Sequence, residues 1–567
     1  MMTNVAHLAM LAIAPDLIVH NAKLVTVDAK FSIAQAMAVR AGRIEAVGSN
    51  AAILKLKGPG TRVEDLKGKT VLPGLMDSHV HSADASMYEF DHEIADMQTI
   101  ADVLAYFKSR AAATPKGQWI RLAQVFITRL REQRYPTRAE LDRVAPDHPA
   151  IFSTGPDASL NSMALKLAGV TGARHPKEGQ VGKVERDALG EPTGILRSYS
   201  QFVSPGSSGR AASKEDRMSR LKMLLADYNG VGITSIADRD TSDAEFELYQ
   251  ELHRRRELTC RVFINHSINP HLPVEQVEAR IAELAKHPRH QHDDMLWLRG
   301  LKAYLDGGML TGSAYMREPW GVSKIYSIVD PGYRGMLYID AEKLYRIARA
   351  ALSNHLQFTA HSVGDGAVSA LVTAYERVNR EFPVAAERPC LTHANFQFPD
   401  AIEKMAAVGI VADLQPAWLE RDGATLRKQF GDARLRYFQP YKSLFAAGVK
   451  VGGGSDHMQK IGSMRAINPY NPWWGMWVTL ARQPRWTDAP LHPEERLTRE
   501  QAVKLYTINN AFIMFEEKNK GSLEVGKLAD FIVIDRDVLT CPLEQVKDVL
   551  VERTFLGGRM LPRAGKG

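Results

Sequence analysis

Hydrophobic residues near the two ends of the chain come in short runs broken by polar turns. From Asp16 the order is D-L-I-V-H-N-A-K-L-V-T-V-D, followed by A-M-A-V-R-A-G-R-I-E-A-V-G at 36–48 and V-E-D-L-K-G-K-T-V-L-P-G at 63–74. Val/Ile-rich segments of this length read as strands, and Ala41-Gly42-Arg43 reads as a hairpin turn. The same style returns in K-L-A-D-F-I-V-I-D (527–535) and V-L-V-E-R-T-F-L-G-G-R-M (549–560). We expect one composite β-sandwich built from residues 16–72 and 516–567, with a loose N-terminal tail over residues 1–15.

Between these segments, apolar strand candidates alternate with helical stretches such as Ala341–Leu352 and Asp400–Val408. The strands are the run ending at His79, then Ile233–Ala237, Arg261–Asn265, Leu301–Leu305, Gln357–Ala360, Cys390–Thr392, Ile410–Leu414 and Val449–Gly452. Eight βα units predict an α/β fold, a (β/α)8 TIM barrel over residues 73–515, with its chemistry at the C-terminal strand ends. The connection from residue 82 to about 230 is too long for an ordinary βα loop, so a large insertion after barrel strand 1 is expected, with a role in covering substrate.

Composition narrows the function classes. Hydrophobic residues make up 45% and charged ones 24%, ordinary for a soluble globular chain. The net charge of +7 comes from 72 basic and 65 acidic residues that are interleaved. The longest basic run, Arg254-Arg255-Arg256, sits between Glu251 and Glu257 and reads as a solvated helix face, so no nucleic-acid partner is expected. Three widely spaced cysteines, Cys260, Cys390 and Cys541, argue against a disulfide framework and for a reducing, cytoplasmic setting. The opening M-M-T-N-V-A-H-L-A-M-L-A-I-A-P has no basic residue before its apolar part and is too short to span a bilayer, so no membrane association is expected.

The strand ends carry the chemistry. In D-S-H-V-H the residues His79 and His81 share one strand face, because alternate side chains point the same way. Alone the pair is weak evidence. Later strand ends add Lys302 in L-K-A-Y-L-D-G-G, His361 in F-T-A-H-S-V-G-D-G, His393 in L-T-H-A-N and Asp456 in G-G-G-S-D-H. Four histidines, a lysine and an aspartate at five strand ends form a donor set suited to a divalent metal. An ammonium beside such an ion is costly, and burial favours the neutral amine. A neutral Lys302 can take up carbon dioxide as a carbamate that bridges two metals; the alternative is a salt bridge from Lys302 to Asp306. The histidine-rich H-P-R-H-Q-H-D-D (287–294) reads as exposed loop, and Gly452–Gly454 as a close approach of the eighth strand rather than a phosphate loop.

In this order the motifs D-S-H-V-H, L-K-A-Y-L-D-G-G, A-H-S-V-G-D, L-T-H-A-N and G-G-S-D-H resemble the amidohydrolase superfamily. Y-P-T-R-A-E-L-D-R-V-A-P-D-H-P, G-E-P-T-G-I-L-R and K-G-S-L-E-V-G-K-L-A-D-F-I-V-I-D resemble its YtcJ-like branch, which includes N-substituted formamide deformylases. The likeness runs from about residue 16 to 560. It implies a distorted (β/α)8 barrel, a composite β-sandwich, and one or two zinc or similar divalent ions. By that likeness His79, His81, His361, His393 and Asp456 are metal ligands and Lys302 is the carboxylated bridge. Two departures fall in the insertion. T-G-P-D-A-S-L-N-S-M-A-L (154–165) lacks the histidine usual in the branch, and Arg197 is followed by Ser198 where a glutamate often stands.

The expected reaction is metal-dependent hydrolysis of a non-peptide carbon–nitrogen bond, an amide or N-formyl group, by hydroxide generated on the metal. Asp456 is the expected general base, which passes the proton to the leaving nitrogen, and His361 or His393 polarises the carbonyl if one metal is present. Tyr304, Trp320, Trp473, Trp474, Met476 and Trp477 are candidates for an aromatic or apolar pocket, with packing of the last helix as the alternative; Asn161 and Arg197 are candidates for further contacts, with a fold-stabilising role as the equal alternative. A small-molecule substrate and a homodimer are expected. The competing classes are a deaminase or other hydrolase of the same superfamily, or a non-catalytic regulatory barrel. A glutamate typically follows the strand-five histidine in the deaminases, whereas here the order is His361-Ser362-Val363-Gly364; loss of a metal ligand would mark the regulatory barrel, and none is lost.

Overall fold

A computed structural model describes residues 14–170, 182–206 and 209–562. Most of the expected N-terminal tail, residues 1–13, lies outside these. Eight parallel strands form one sheet in chain order: β1 Leu75–Val80, β2 Ile233–Thr241, β3 Arg261–Ser267, β4 Leu296–Tyr304, β5 Gln357–Ser362, β6 Cys390–His393, β7 Val411–Leu414 and β8 Val451–Gly453. Each contains or overlaps its predicted segment. The apolar runs are buried on both faces, as a parallel barrel with an outer helical layer requires.

Closure occurs just beyond the strand ends. The Asp456 N–H donates to His79 O at 2.8 Å and the His81 N–H donates to His457 O at 2.9 Å. Glycine makes this approach feasible, since a Cβ on Gly454 would stand 2.8 Å from Ser78 Oγ and 2.9 Å from the His79 nitrogen. The barrel is distorted: β2 and β4 have 9 residues each and β8 only 3.

Both chain ends build the sheets below β1. A four-stranded sheet joins Leu17–His20, Ala36–Arg40, Arg43–Gly48 and Arg62–Asp65. The expected hairpin turn is present, with Ala41 and Gly42 at φ 48 and 79, the left-handed pair that a type I′ turn needs. A six-stranded sheet pairs Thr70–Pro73 antiparallel with Phe531–Ile534 from the far end of the chain. Met37, Val39, Val71, Phe531, Val533 and Phe555 pack between the two sheets. Arg261 at the start of β3 grips Asp530 with two hydrogen bonds of 2.6 and 2.9 Å, tying this layer to the barrel.

Between β1 and β2 lies a separate five-stranded sheet: Lys183–Arg186, Pro192–Arg197, Asp157–Leu160, Ala150–Thr154 and Ile120–Leu122. Arg197, fully buried, locks it to the connection after β4, donating to Glu185, Asp157 and the carbonyls of Thr311 and Tyr326. Among the described residues no helix is long and apolar enough to cross a membrane.

Candidate metal centre

The ends of β1 and β8 bring three donor atoms together. His79 Nε2 and His81 Nε2 are 3.3 Å apart, and Asp456 Oδ1 stands 3.3 Å from the first and 3.2 Å from the second. A tetrahedral ion with bonds of about 2.0–2.1 Å holds its ligand atoms about 3.3–3.4 Å apart. The triangle has that size. Asp456 reaches it through a left-handed backbone, φ 56, which turns the carboxylate back over β1.

His393 extends the cluster from β6, its ring stacked 4.9 Å from His79 and set edge-on 4.6 Å from His361 at the end of β5. The outer nitrogen of each of these rings has a partner. His361 Nδ1 meets Asp306 Oδ1 at 2.9 Å, His393 Nδ1 meets Gln415 Oε1 at 2.8 Å, and His79 Nδ1 lies 3.4 Å from Asp413 Oδ1. These partners can only accept, so the proton sits on Nδ1 and the Nε2 lone pair is left for the cluster. Burial, followed by the charges of neighbouring basic groups, pushes the His79 and His393 pKa values well below the ordinary one, so both rings are neutral donors.

Lys302 on β4 is 1% exposed, and its Nζ has no hydrogen-bond partner among the described residues. Burial pushes its pKa down. The alternative salt bridge to Asp306 does not form. That carboxylate is taken by His361 and by the N–H groups of Tyr315, Val363 and Gly364. An orphaned buried amine beside neutral imidazoles and a carboxylate is the surrounding a metal would complete. The residues fit a divalent ion: His79, His393 and Asp456 offer donor atoms within 4.8 Å of one another, His81 adds a further donor beside His79 and Asp456, and His361 and Lys302 line the same cavity.

The cluster forms the floor of a cavity of about 460 Å³. Gln124, Phe126, Pro156 and Ser198 of the insertion form one wall, so the segment expected to cover substrate does border the site. Tyr304 lines the cavity as expected and donates to Asp240 at 2.8 Å. The other aromatic candidates do not. Trp473, Trp474 and Trp477 are buried on the helix Pro472–Ala481, where Trp477 bonds Glu544 and Trp474 lies against Arg421. Met476 is buried on the same helix. Trp320 is buried against Tyr326 and Phe430, its indole N–H on Ala314 O. Asn161 caps the helix Ser162–Leu167 and bonds four backbone groups, so it holds the insertion rather than a substrate. Arg197 is likewise spent on the fold.

In their place the cavity uses Trp418, stacked on His393 at 4.8 Å, with Phe126, Tyr338, Met309 and Leu310. Sequence reading missed Trp418, Asp413 and Gln415. Strand alternation in V-A-D-L-Q (411–415) could have marked the last two, since Asp413 and Gln415 share one face at the end of β7. The 287–294 segment runs past the start of β4, where His292 pairs with Glu516 and Asp294 is held by Arg43 and Asn519.

The chain resembles known proteins along nearly its whole length. It is 29% identical over 557 residues to an N-substituted formamide deformylase of Arthrobacter pascens, covering 96% of this chain and 97% of that one. It is 24% identical over 545 residues to YtcJ of Bacillus subtilis, covering 93% and 96%. Its fold matches the crystal structure of an uncharacterized metal-dependent hydrolase from Pyrococcus furiosus with a TM-score of 0.65 at 22% identity, over 92% of this chain and all of that one. The family model described as the amidohydrolase family matches residues 62–562. With the strand-end donors and this match together, the chain belongs to the amidohydrolase family, in its YtcJ-like branch, and is a hydrolase of that family.

Proposed function

We propose that the protein hydrolyses the carbon–nitrogen bond of a small N-formyl or N-acyl amine whose organic group is apolar or aromatic. The observation that carries this reading is the His79–His81–Asp456 triangle, whose His81 and Asp456 line a partly aromatic cavity. His79, His81, His393 and Asp456 would hold a divalent ion, zinc in this reading, and such an ion would supply Lewis-acid chemistry: a water whose pKa falls from 15.7 to about 7 and a polarised carbonyl. The chain's own residues do the rest. Asp456 takes the proton of the attacking water and returns it to the leaving nitrogen, so that amine and carboxylic acid separate. His361 and His393, fixed by Asp306 and Gln415, keep Nε2 turned toward the site that would hold the ion. Burial lowers the Lys302 pKa; in its neutral form the amine adds carbon dioxide with loss of one proton, and the carbamate anion would offset the charge of an ion held beside it. Trp418, Phe126 and Tyr338 exclude water and hold the apolar group.

Two features support the substrate class: the apolar cavity wall, and the deformylase named among the relatives. Incubating the metal-loaded enzyme with a panel of N-formyl and N-acyl amines tests it. Stoichiometric amine and carboxylate are expected. Release of ammonia instead would assign a deaminase, and no turnover at full metal occupancy a binding protein.

A further inference from the structure

The barrel's Asp456 is braced from outside the barrel. Asn468, fully buried in the long connection after β8, donates from Nδ2 to the Asp456 backbone oxygen at 2.7 Å and to Asp456 Oδ2 at 3.3 Å. Its own Oδ1 accepts from Arg129 Nη1 at 2.8 Å. Arg129 belongs to the insertion, on the short turn Ile127–Arg129. It is fixed there by a fork onto Asp422 of the helix Ala417–Arg434, with Nε to Oδ1 at 3.1 Å and Nη2 to Oδ2 at 2.8 Å. Thr128 adds a hydroxyl bond to the same carboxylate at 2.7 Å.

We infer that Arg129 is a positioning residue for Asp456 and acts through the amide of Asn468. The reasoning is one of donors and acceptors. A guanidinium only donates, so it compels the Asn468 amide to turn its oxygen toward Arg129 and its NH2 toward Asp456. A flipped amide would set an oxygen against the carboxylate. The held orientation occupies Asp456 Oδ2 and leaves Oδ1 facing His79 and His81. It also satisfies the carbonyl of a residue in the left-handed region, where non-glycine backbone is disfavoured. The same turn carries Phe126 into the cavity wall, with the Arg129 guanidinium 5.0 Å over its ring. The insertion therefore covers the substrate and orients the proton-transfer group through one short segment. This rests on the reading of Asp456 as that group.

Asn468→Ala and Arg129→Lys, alone and combined, test the inference in the metal-loaded enzyme. Each is expected to lower kcat about 10- to 100-fold while KM stays within about threefold, the mark of a misdirected group rather than a lost binding contact. Metal per chain is expected to stay at the wild-type value, and a crystal structure of Asn468→Ala to show the Asp456 carboxylate rotated. Because both act on one amide, the double variant is expected to be no slower than the slower single variant. A purely structural brace would lower thermal stability and metal content with kcat per bound metal unchanged, and independent effects would multiply; either result overturns the inference. If Arg129→Lys does not fold, the kcat and carboxylate readouts of Asn468→Ala decide. An Asp456→Asn variant run in parallel separates the two levels. If it keeps full activity, the role given to Asp456 is wrong. If it is inactive while Asn468→Ala is fully active, only the present inference falls.

Discussion

His361 and Asp306 form a pair at the mouth of the barrel, with Nδ1 2.9 Å from Oδ1, and that bond decides which imidazole nitrogen faces the cavity. The carboxylate is itself held by three backbone N–H groups, from Tyr315, Val363 and Gly364. An amide in its place would have to turn an NH2 toward one of these donors. Asp306→Asn is therefore expected to weaken metal binding about 10- to 100-fold, the usual cost of losing the carboxylate behind a ligating histidine. Titrating the chelated variant and the parent with zinc measures it; equal affinity would remove His361 from the site.

Trp418 lies nearly parallel to His393, 4.8 Å away, and borders the cavity, whereas Trp477 spends its N–H on Glu544. Trp418→Ala is expected to lower kcat/KM for aromatic amides about tenfold, the upper range of a stacking contact. Trp477→Phe should leave the same ratio within about twofold, since it loses one hydrogen bond remote from the cavity. Steady-state kinetics on both variants distinguish a wall residue from a packing residue.

The Arg261–Asp530 pair sets a pH limit on stability. Burial pushes the Asp530 carboxyl up, but Arg261 and the Gly557 N–H more than offset this and hold it below its ordinary value of 3.8. A depressed carboxyl contributes stability that is fully present above its unfolded pKa and is lost as pH falls through its folded pKa. Asp530→Asn is expected to cost about 3–5 kcal/mol at neutral pH, because it strands a buried guanidinium. Thermal midpoints from pH 7 down to pH 3 should show the gap between parent and variant closing below about pH 4, where the unfolded carboxyl binds its proton. A gap independent of pH would mean the pair does not carry the effect.

Much of this architecture was legible because burial on two faces leaves a simple mark. Arg261–Asn265 reads directly as a buried strand, whereas the run Val71–Met76 divides at Gly74 between the sandwich strand Thr70–Pro73 and β1; the composite sandwich showed in the Val/Ile-rich ends. Histidines at strand ends stood out for the same reason: an imidazole terminating an apolar run has a defined place in a barrel. Aromatic residues carry no such mark. Trp474 in N-P-W-W-G-M-W and Trp418 in P-A-W-L-E are equally apolar, and only the path of the chain puts one in the core and the other beside His393. Strand spacing left a Lys302–Asp306 salt bridge open as the alternative, since it cannot show that three N–H groups from distant loops already claim that carboxylate. The brace from Arg129 to Asn468 joins residues more than three hundred positions apart, and local pattern says nothing of such a pair.

The central claim is that the strand-end cluster holds the metal on which carbon–nitrogen hydrolysis depends. Its most direct test is amine release from an N-formyl or N-acyl amine by the purified, the chelated and the zinc-reloaded protein, with metal per chain measured on the same samples. We expect turnover to vanish with the metal and return in proportion to it, and the His79→Ala/His81→Ala double variant neither to take up zinc nor to recover. Amine release that persists after chelation, or a reloaded double variant as active as the parent, would contradict the account.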